Sequence, residues 1–426
     1  MKLVKFISIL PLLLLLTSCV GEEPNDIAYI TALGIDKADT GYMYTIQFAN
    51  PKRISGGASE EGGSGENIVE NITVQAPTLY SCISNANSIV SKDFSMSHAK
   101  IIVVSEEVAE EGLAYLNDTL ARNNEVRPEV FIVVTKNAQK YLEEVKPVIE
   151  VNPAKYYQLT YENKNGSRIP QNTAVEFYFS CMSKKEDCVI PYAGVAEADE
   201  SSAETSSDTG SEKNKDESIT NKSHSEAELN ESGFENMTLN HYAGQAGVSI
   251  TNKSEAMGLA VFRGDKYIGK MGSIEAELYN ILIGKFREES ITFYSDETPE
   301  IPVTVKVEQK KKPEYEIDKE KRTVKIKIRL SGELQSVSEQ SKDNIYIDEF
   351  EKKASDMVSE AAESFIEKLY YDMGVDPLGV RGRLKKEFLT YPDYEEYCKT
   401  FDASKWSFDV ETELMIKRTG MTYMER

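Results

Sequence analysis

The sequence predicts an α+β protein: a mixed α/β N-terminal part and a C-terminal part of antiparallel sheet with a long covering helix, arranged as an elongated multi-domain body. Three observations predict it. Extended and helical hydrophobic patterns alternate as far as residue 195. A charged, polar stretch from Glu197 to Glu231 then interrupts them, and strict apolar–polar alternation takes over toward the end, beside one long amphipathic run.

The first element is a leader. Lys2 and Lys5 give a positive start, Phe6 to Leu16 form an apolar centre of eleven residues, and Thr17 and Ser18 are small residues before Cys19. Crossing a hydrocarbon core takes about 20 apolar residues, so this run is too short to span. Leu16-Thr17-Ser18-Cys19 fits the bacterial lipobox, in which the cysteine thiol receives a lipid and the leader is cut just before it. Cys19 is therefore the expected lipidation site, and several acyl chains on one residue make a stable anchor where a single chain does not.

The mature chain that this implies is acidic. Its leader carries two lysines and no acid, so the net charge of −22 falls by two to −24. Such a balance excludes nucleic acid as a partner and gains nothing overall from an anionic lipid surface, which leaves anchoring to the lipid.

The pattern then runs strand by strand. Tyr42, Tyr44, Ile46 and Phe48 share one face of an extended segment, and Ser55 to Glu66 reads as a glycine-rich loop before a second strand, Ile68 to Gln75. Pro77 opens a helix carrying Leu79, Ile83, Ala86 and Val90. Lys100 to Val104 is a buried strand, and Ser105 caps one helix holding Ala109, Leu113, Leu116 and Leu120, with Glu106 and Glu107 at its positive end. Val130 to Val134 is the next strand.

Glu197 to Glu231 holds 11 acidic residues and three lysines, with Ile219 and Leu229 its only large aliphatics, so it cannot bury enough surface to offset its ordering entropy. This divides the chain into a signal peptide (1–18), an N-terminal domain (19–195), a disordered acidic insert (196–236) and a C-terminal domain (237–426) with room for two subdomains. In the last of these, Ile301, Val303, Val305 and Val307 line one strand face, and Val324, Ile326, Ile328 and Leu330 line another whose reverse carries Lys325, Lys327 and Arg329. That basic row reads as a solvated face. A helix from Asp348 to Asp372 presents Phe350, Ala354, Met357, Ala361, Phe365 and Leu369, ends at Gly374, and is followed by a strand alternating Phe408, Val410, Thr412, Leu414 and Ile416.

Chemistry-bearing motifs are sparse. The sequence has no glycine-rich phosphate loop, HExxH, paired CxxC or GxSxG. His98 reads as a packed or capping residue. Cys82, Cys181, Cys188 and Cys398 are too few for a disulfide scaffold; Cys181 and Cys188 could pair or bind metal with outside ligands, and free thiols are the expectation. No catalytic residue, cofactor or metal is expected, and the chain is read as non-enzymatic.

From the lipid cysteine onward, several segments resemble the Ger(x)C family, the lipoprotein C-subunits of spore germinant receptors. Asn25 to Ala28 and Ala32 to Asp36 are similar to its opening, and Ser95 to Lys136 to a block with a Ser-His pair, a hydrophobic strand, Ala109-x-x-Gly112 and Arg122-x-x-Glu125-x-Arg127. Gly258 to Met271, Val375-Asp376 with Leu378-Gly379, and Ile416 to Gly420 follow in the family's order. Val20-Gly21 and Pro77-Thr78 depart from its usual tryptophan-acidic and glycine-serine pairs.

The resemblance implies a non-enzymatic subunit on the outer face of the spore inner membrane, held by acylated Cys19 beside integral-membrane A- and B-subunits, in an assembly that senses small nutrients. Two other readings stand beside it: a lipid-anchored small-molecule-binding protein feeding a transporter, and a wall-modifying lipoprotein enzyme. A cleft that binds a nutrient would favour the first, and a catalytic constellation the second.

Overall fold

A computed structural model describes residues 26–49, 69–90, 92–147, 150, 152–162, 168–170, 172–183, 185–196, 240–245, 252–294, 302–337 and 347–418. The leader with Cys19, the glycine-rich loop and the acidic stretch from Glu197 to Glu231 lie outside these residues.

Two charge-free runs, β5 (Ile101–Ser105) and β6 (Phe131–Thr135), are buried at every position. Strands covered on both faces need such continuous apolarity, and both are central and parallel. Around them the described residues form a nine-stranded sheet of order β3-β2-β1-β5-β6-β7-β8-β9, with β4 (Asp93–Ser95) beside β1. The other members are β1 (Ile27–Lys37), β2 (Tyr42–Ala49), β3 (Val69–Ala76), β7 (Val189–Val195), β8 (Ser254–Arg263) and β9 (Lys266–Met271). β7 and β8 flank the acidic stretch in sequence yet pair antiparallel, so the two parts of the chain share this sheet.

Its helices are α1 (Leu79–Ile89), α2 (Glu106–Glu111), α3 (Ala114–Arg122), α4 (Ala138–Glu144), α5 (Pro153–Glu162) and α6 (Ala174–Ser183). Thr78, one residue after Pro77, caps α1 by accepting from Ser81 N. Asp36 caps α4 with both carboxylate oxygens, accepting from the Ala138 and Gln139 amides at 2.8 Å each. One correction falls here. The helix expected to run unbroken from Ser105 past Leu120 is two helices, α2 and α3, because Gly112 stands at φ +115 between them.

A second, five-stranded sheet follows: β10 (Glu288–Tyr294), β11 (Pro302–Glu308), β13 (Thr323–Val337) and β12 (Glu314–Asp318), with β14 (Ser407–Arg418) on β13's other edge. The alternating residues of β11, β13 and β14 point inward as their period predicts, while Lys325, Lys327 and Arg329 face outward and pair with Asp409, Glu411 and Glu413. Four strands are antiparallel; β14 runs parallel to β13, which the alternation alone did not reveal. A parallel return needs a crossover, and α8 (Ile347–Glu367) supplies it, ending in a π-helical turn at Lys368–Asp372 and in Gly374 at φ +62.

α8 also closes the edge that β14 leaves open. Glu351, Ser355, Ser359 and Glu363, one helical turn apart, accept the amides of Ile416, Leu414, Thr412 and Val410 at 2.5–3.0 Å. Four helical residues rise about 6 Å and two strand residues about 6.7 Å, so the two ladders stay in step. An exposed edge would otherwise offer these amides to another chain.

Between the sheets lies α7 (Ser273–Ile283), buried from Ser273 through Leu282. Its two buried acids are partnered there: Glu275 accepts from Gly272 N at 2.7 Å and Lys368 Nζ at 2.9 Å, and Arg168 Nε stands 3.2 Å from Glu277. One continuous core joins Val189, Leu259 and Val261 of the first sheet to α7, α8 and the second sheet.

Candidate functional site

Three of the segments that carry the family resemblance meet in space. The first is the turn of the β8–β9 hairpin. Arg263 pairs with Lys266 across Gly264 and Asp265, and Gly264 at φ +64 gives the primed two-residue turn that a twisted hairpin favours.

Asp265 plugs into the break between α2 and α3. Its carbonyl accepts from Leu113 N at 2.9 Å and its carboxylate from Ala114 N at 3.0 Å, so a residue far along the chain caps α3. A Cβ on Gly112 would come within 2.6 Å of that carboxylate, which is why the position suits glycine. Further along the hairpin, Tyr267 and Lys270 reach Glu106 at the start of α2 at 3.2 and 3.1 Å, and Tyr192 donates to the same oxygen at 2.8 Å. Burial opposes charge on Glu106, but these donors outweigh it and hold its pKa below the usual value.

The turn's other side meets the segment after α8. Gly264 N donates to Asp187 Oδ1 at 3.2 Å, and the Arg263 guanidinium donates to the Met373 carbonyl. Asp187 Oδ2 in turn accepts from Asp376 N at 3.0 Å and Arg381 Nη2 at 3.1 Å, and Asp187 N donates to the Asp376 carbonyl at 3.0 Å.

Asp376 is the most enclosed charge of this junction, 1% exposed. Its carboxylate accepts from the Tyr370 hydroxyl, from Val380 N at 2.8 Å and from Arg381 N at 2.7 Å, capping the short helix α9 (Val380–Arg383). Burial pushes its pKa up to about 7, against the pull of these donors and the Arg381 guanidinium. Gly379, at φ +67, lies where a Cβ would stand 2.9 Å from Glu186 Oε2.

The remaining sequence candidates lie elsewhere or carry little reactivity. Cys19 is outside the described residues. His98 is exposed, its Nδ1 3.1 Å from Ser97 Oγ and its ring edge-on to Tyr29 with centroids 4.3 Å apart; burial, then Arg127 and Lys100, lower its pKa. Glu125 of the same block accepts from Ser95 Oγ and Met96 N at 3.0 and 2.8 Å, so that motif fastens a turn. Cys82, Cys181, Cys188 and Cys398 are free thiols. Burial pushes Cys181 up to about 12, which leaves little thiolate. Among the described residues no group of three or more His, Cys, Asp or Glu side chains is placed to hold a metal ion.

A small pocket of about 20 Å³, room for little more than a water molecule, lies beside Gly112. Tyr42, Tyr44, Tyr115 and Thr119 give it hydroxyls among apolar neighbours, and its lining holds no charged side chain. Among the described residues no helix is long and apolar enough to cross a membrane.

Two family models match: "Spore germination protein N-terminal domain" over residues 21–195 and "Spore germination B3/GerAC like, C-terminal" over residues 257–420. The chain belongs to this GerAC family. Family membership ties it to spore germination. YfkR of Bacillus subtilis (strain 168), a protein named for spore germination, is 26% identical over 158 residues, 36% of this chain, and the match spans 41% of that relative's length. The crystal structure of the GerBC protein aligns with 90% of this chain and 96% of its own at a TM-score of 0.49 and 13% identity.

Asp187 and Asp265 belong to this junction, and sequence reasoning did not single them out as individuals. For Asp265 the signal was its place in a Gly-Asp-Lys turn within a family segment; Asp187, one carboxylate among 71 acidic residues, had none.

Proposed function

We infer that this GerAC-family chain is a non-catalytic subunit of a nutrient germinant receptor, lipid-anchored through Cys19 on the outer face of the spore inner membrane, and that it works by holding membrane-embedded A- and B-type partners in one conformational state. The observation that carries the reading is the junction. Three segments shared with the family are spent on locking the two halves together through Asp187, Asp265, Asp376 and Arg381, as a body that passes on or resists a conformational change requires.

The test is germination of spores carrying Cys19→Ala or His98→Ala, with immunoblots for this subunit and its partners in membrane fractions. Cys19→Ala should release the protein from the membrane and impair the nutrient response; His98→Ala should leave it largely intact. A folded, abundant and assembled His98→Ala protein that fails to support germination would replace the scaffold reading with a chemical or ligand-binding one.

A further inference from the structure

The segment leaving the junction ends in a tip unlike the rest of this acidic protein. After α9 the chain runs Leu384-Lys385-Lys386-Glu387-Phe388-Leu389-Thr390-Tyr391. Leu384 is buried and Phe388 packs against Tyr394 and Tyr397 of α10 (Tyr391–Thr400), whose N-cap is Thr390. Anchored on both sides, Leu389 stands in solvent at 103% relative exposure, and Tyr391 at 50%. Single exposed apolar side chains are ordinary on a protein surface, and Ile89, Phe179 and Met182 are others here, but Leu389 is the most exposed of them.

Cations share this end of the fold with it. The β12–β13 turn brings Lys319 to 3.8 Å from the centre of the Phe388 ring and 5.4 Å from that of Tyr397, so Lys319, Lys321 and Arg322 share this end of the fold with Lys385 and Lys386. Lys321 is paired with Asp318 at 3.3 Å. Lys319, Arg322, Lys385 and Lys386 have no carboxylate within ion-pair reach among the described residues, although Glu320 and Glu387 are their sequence neighbours. In a chain of net charge −22, where most exposed lysines of the second sheet are paired, four cations free of ion pairs beside an exposed leucine and tyrosine stand out, and the exposed acids of this end, Asp393, Glu395 and Glu396 of α10, follow Tyr391.

We propose that this tip docks on an anionic lipid surface, with Leu389 entering the headgroup layer, Tyr391 lying at its level and Lys319, Arg322, Lys385 and Lys386 meeting the lipid phosphates. Aromatic rings and long basic side chains settle at this depth, and each cation near an anionic surface strengthens partition roughly fivefold. The tip would act as a second contact beside the lipid and fix how the body stands on the membrane. This goes beyond the receptor-subunit reading and needs no acyl chain.

The experiment is vesicle co-flotation of the chain from residue 19 onward carrying Cys19→Ala, which keeps every described element and removes the lipid. The probes are vesicles of phosphatidylcholine alone and vesicles with about one third phosphatidylglycerol. The expected result is binding to the anionic vesicles only, weakened by salt, and reduced at least tenfold by Leu389→Asp and by the pair Lys385→Glu/Lys386→Glu, with circular dichroism unchanged. Equal binding to neutral vesicles, no binding of the parent chain, or binding untouched by the tip variants would each overturn the proposal. So would tip variants that bind vesicles normally yet lose co-isolation with the receptor partners, because the surface would then belong to a protein. Failure here leaves the germination test above intact, since that test depends on the lipid and the assembly.

Discussion

Seventeen consecutive residues, Val375 to Tyr391, hold two opposite treatments of charge. In the first half, Asp376 is buried with its carboxylate accepting three hydrogen bonds, the half-buried Arg381 reaches Asp187, and Gly379 is shaped around Glu186 from the other part of the chain. In the second half Lys385 and Lys386 are exposed and unpaired, and Leu389 has no cover. A buried charge is costly unless each of its hydrogen bonds is made, so the first half specifies one arrangement of the two halves. Leu384, Phe388 and Thr390 fasten this second half to the fold, whereas the exposed Leu389 and Lys386 side chains add little to it, which leaves them available to a surface outside it. The difference separates residues kept for internal rigidity from residues kept for contact.

Three perturbations sharpen this contrast. The largest effect belongs to Asp376→Ala, which strands the Val380 and Arg381 amides, the Tyr370 hydroxyl and part of the Arg381 charge in a dry site. Its expected cost is about 3–5 kcal/mol in denaturant unfolding, and a loss below about 1 kcal/mol would mean that the junction relaxes around the gap.

A smaller, pH-dependent effect comes from Glu277, where burial pushes the carboxyl up to about 8 against Arg168. A carboxyl with a folded pKa above its unfolded value binds its proton more tightly in the fold. Its contribution is therefore present at low pH and is lost as pH rises from about 4.5 toward 8. Glu277→Gln should flatten that part of the melting-temperature profile relative to the parent chain; parallel profiles would show the pair to be ionised throughout. The smallest effect is that of Leu389→Asp on stability, expected within about 0.5 kcal/mol because an exposed side chain away from packing seldom matters more. A larger loss would place the tip inside the fold's own contacts.

Much of the architecture was legible in residue patterns, with limits set by what a pattern encodes. Alternation in Val324 to Leu330 and in Phe408 to Ile416 gives the face a strand buries but not the direction it runs, so the parallel pairing of β14 stayed hidden. The row Glu351, Ser355, Ser359 and Glu363 was visible as a polar stripe at i, i+4 spacing beside the apolar face of α8, and could have announced a helix serving a strand edge. The break at Gly112 was not readable locally, since Ala109 to Leu120 keeps helical periodicity and the group that splits it, Asp265, arrives from β8–β9. The same holds for the junction: the resemblance pointed to Val375-Asp376 and Leu378-Gly379, whereas Asp187 is defined only by the fold that brings it there.

The two halves share a sheet and a core, the junction is what couples the second sheet's unfolding to them, and the chain supplies its own reporter. Its single tryptophan, Trp406, is 2% exposed in the C-terminal half, whereas far-UV circular dichroism averages over both sheets. Urea unfolding of the chain from residue 19 onward should be followed with both probes, for the parent and for Asp376→Ala. Transitions should coincide in the parent, and in the variant tryptophan fluorescence and dichroism should change at different urea concentrations. Two separate transitions already in the parent, or coincident and unshifted ones in the variant, would contradict this coupling.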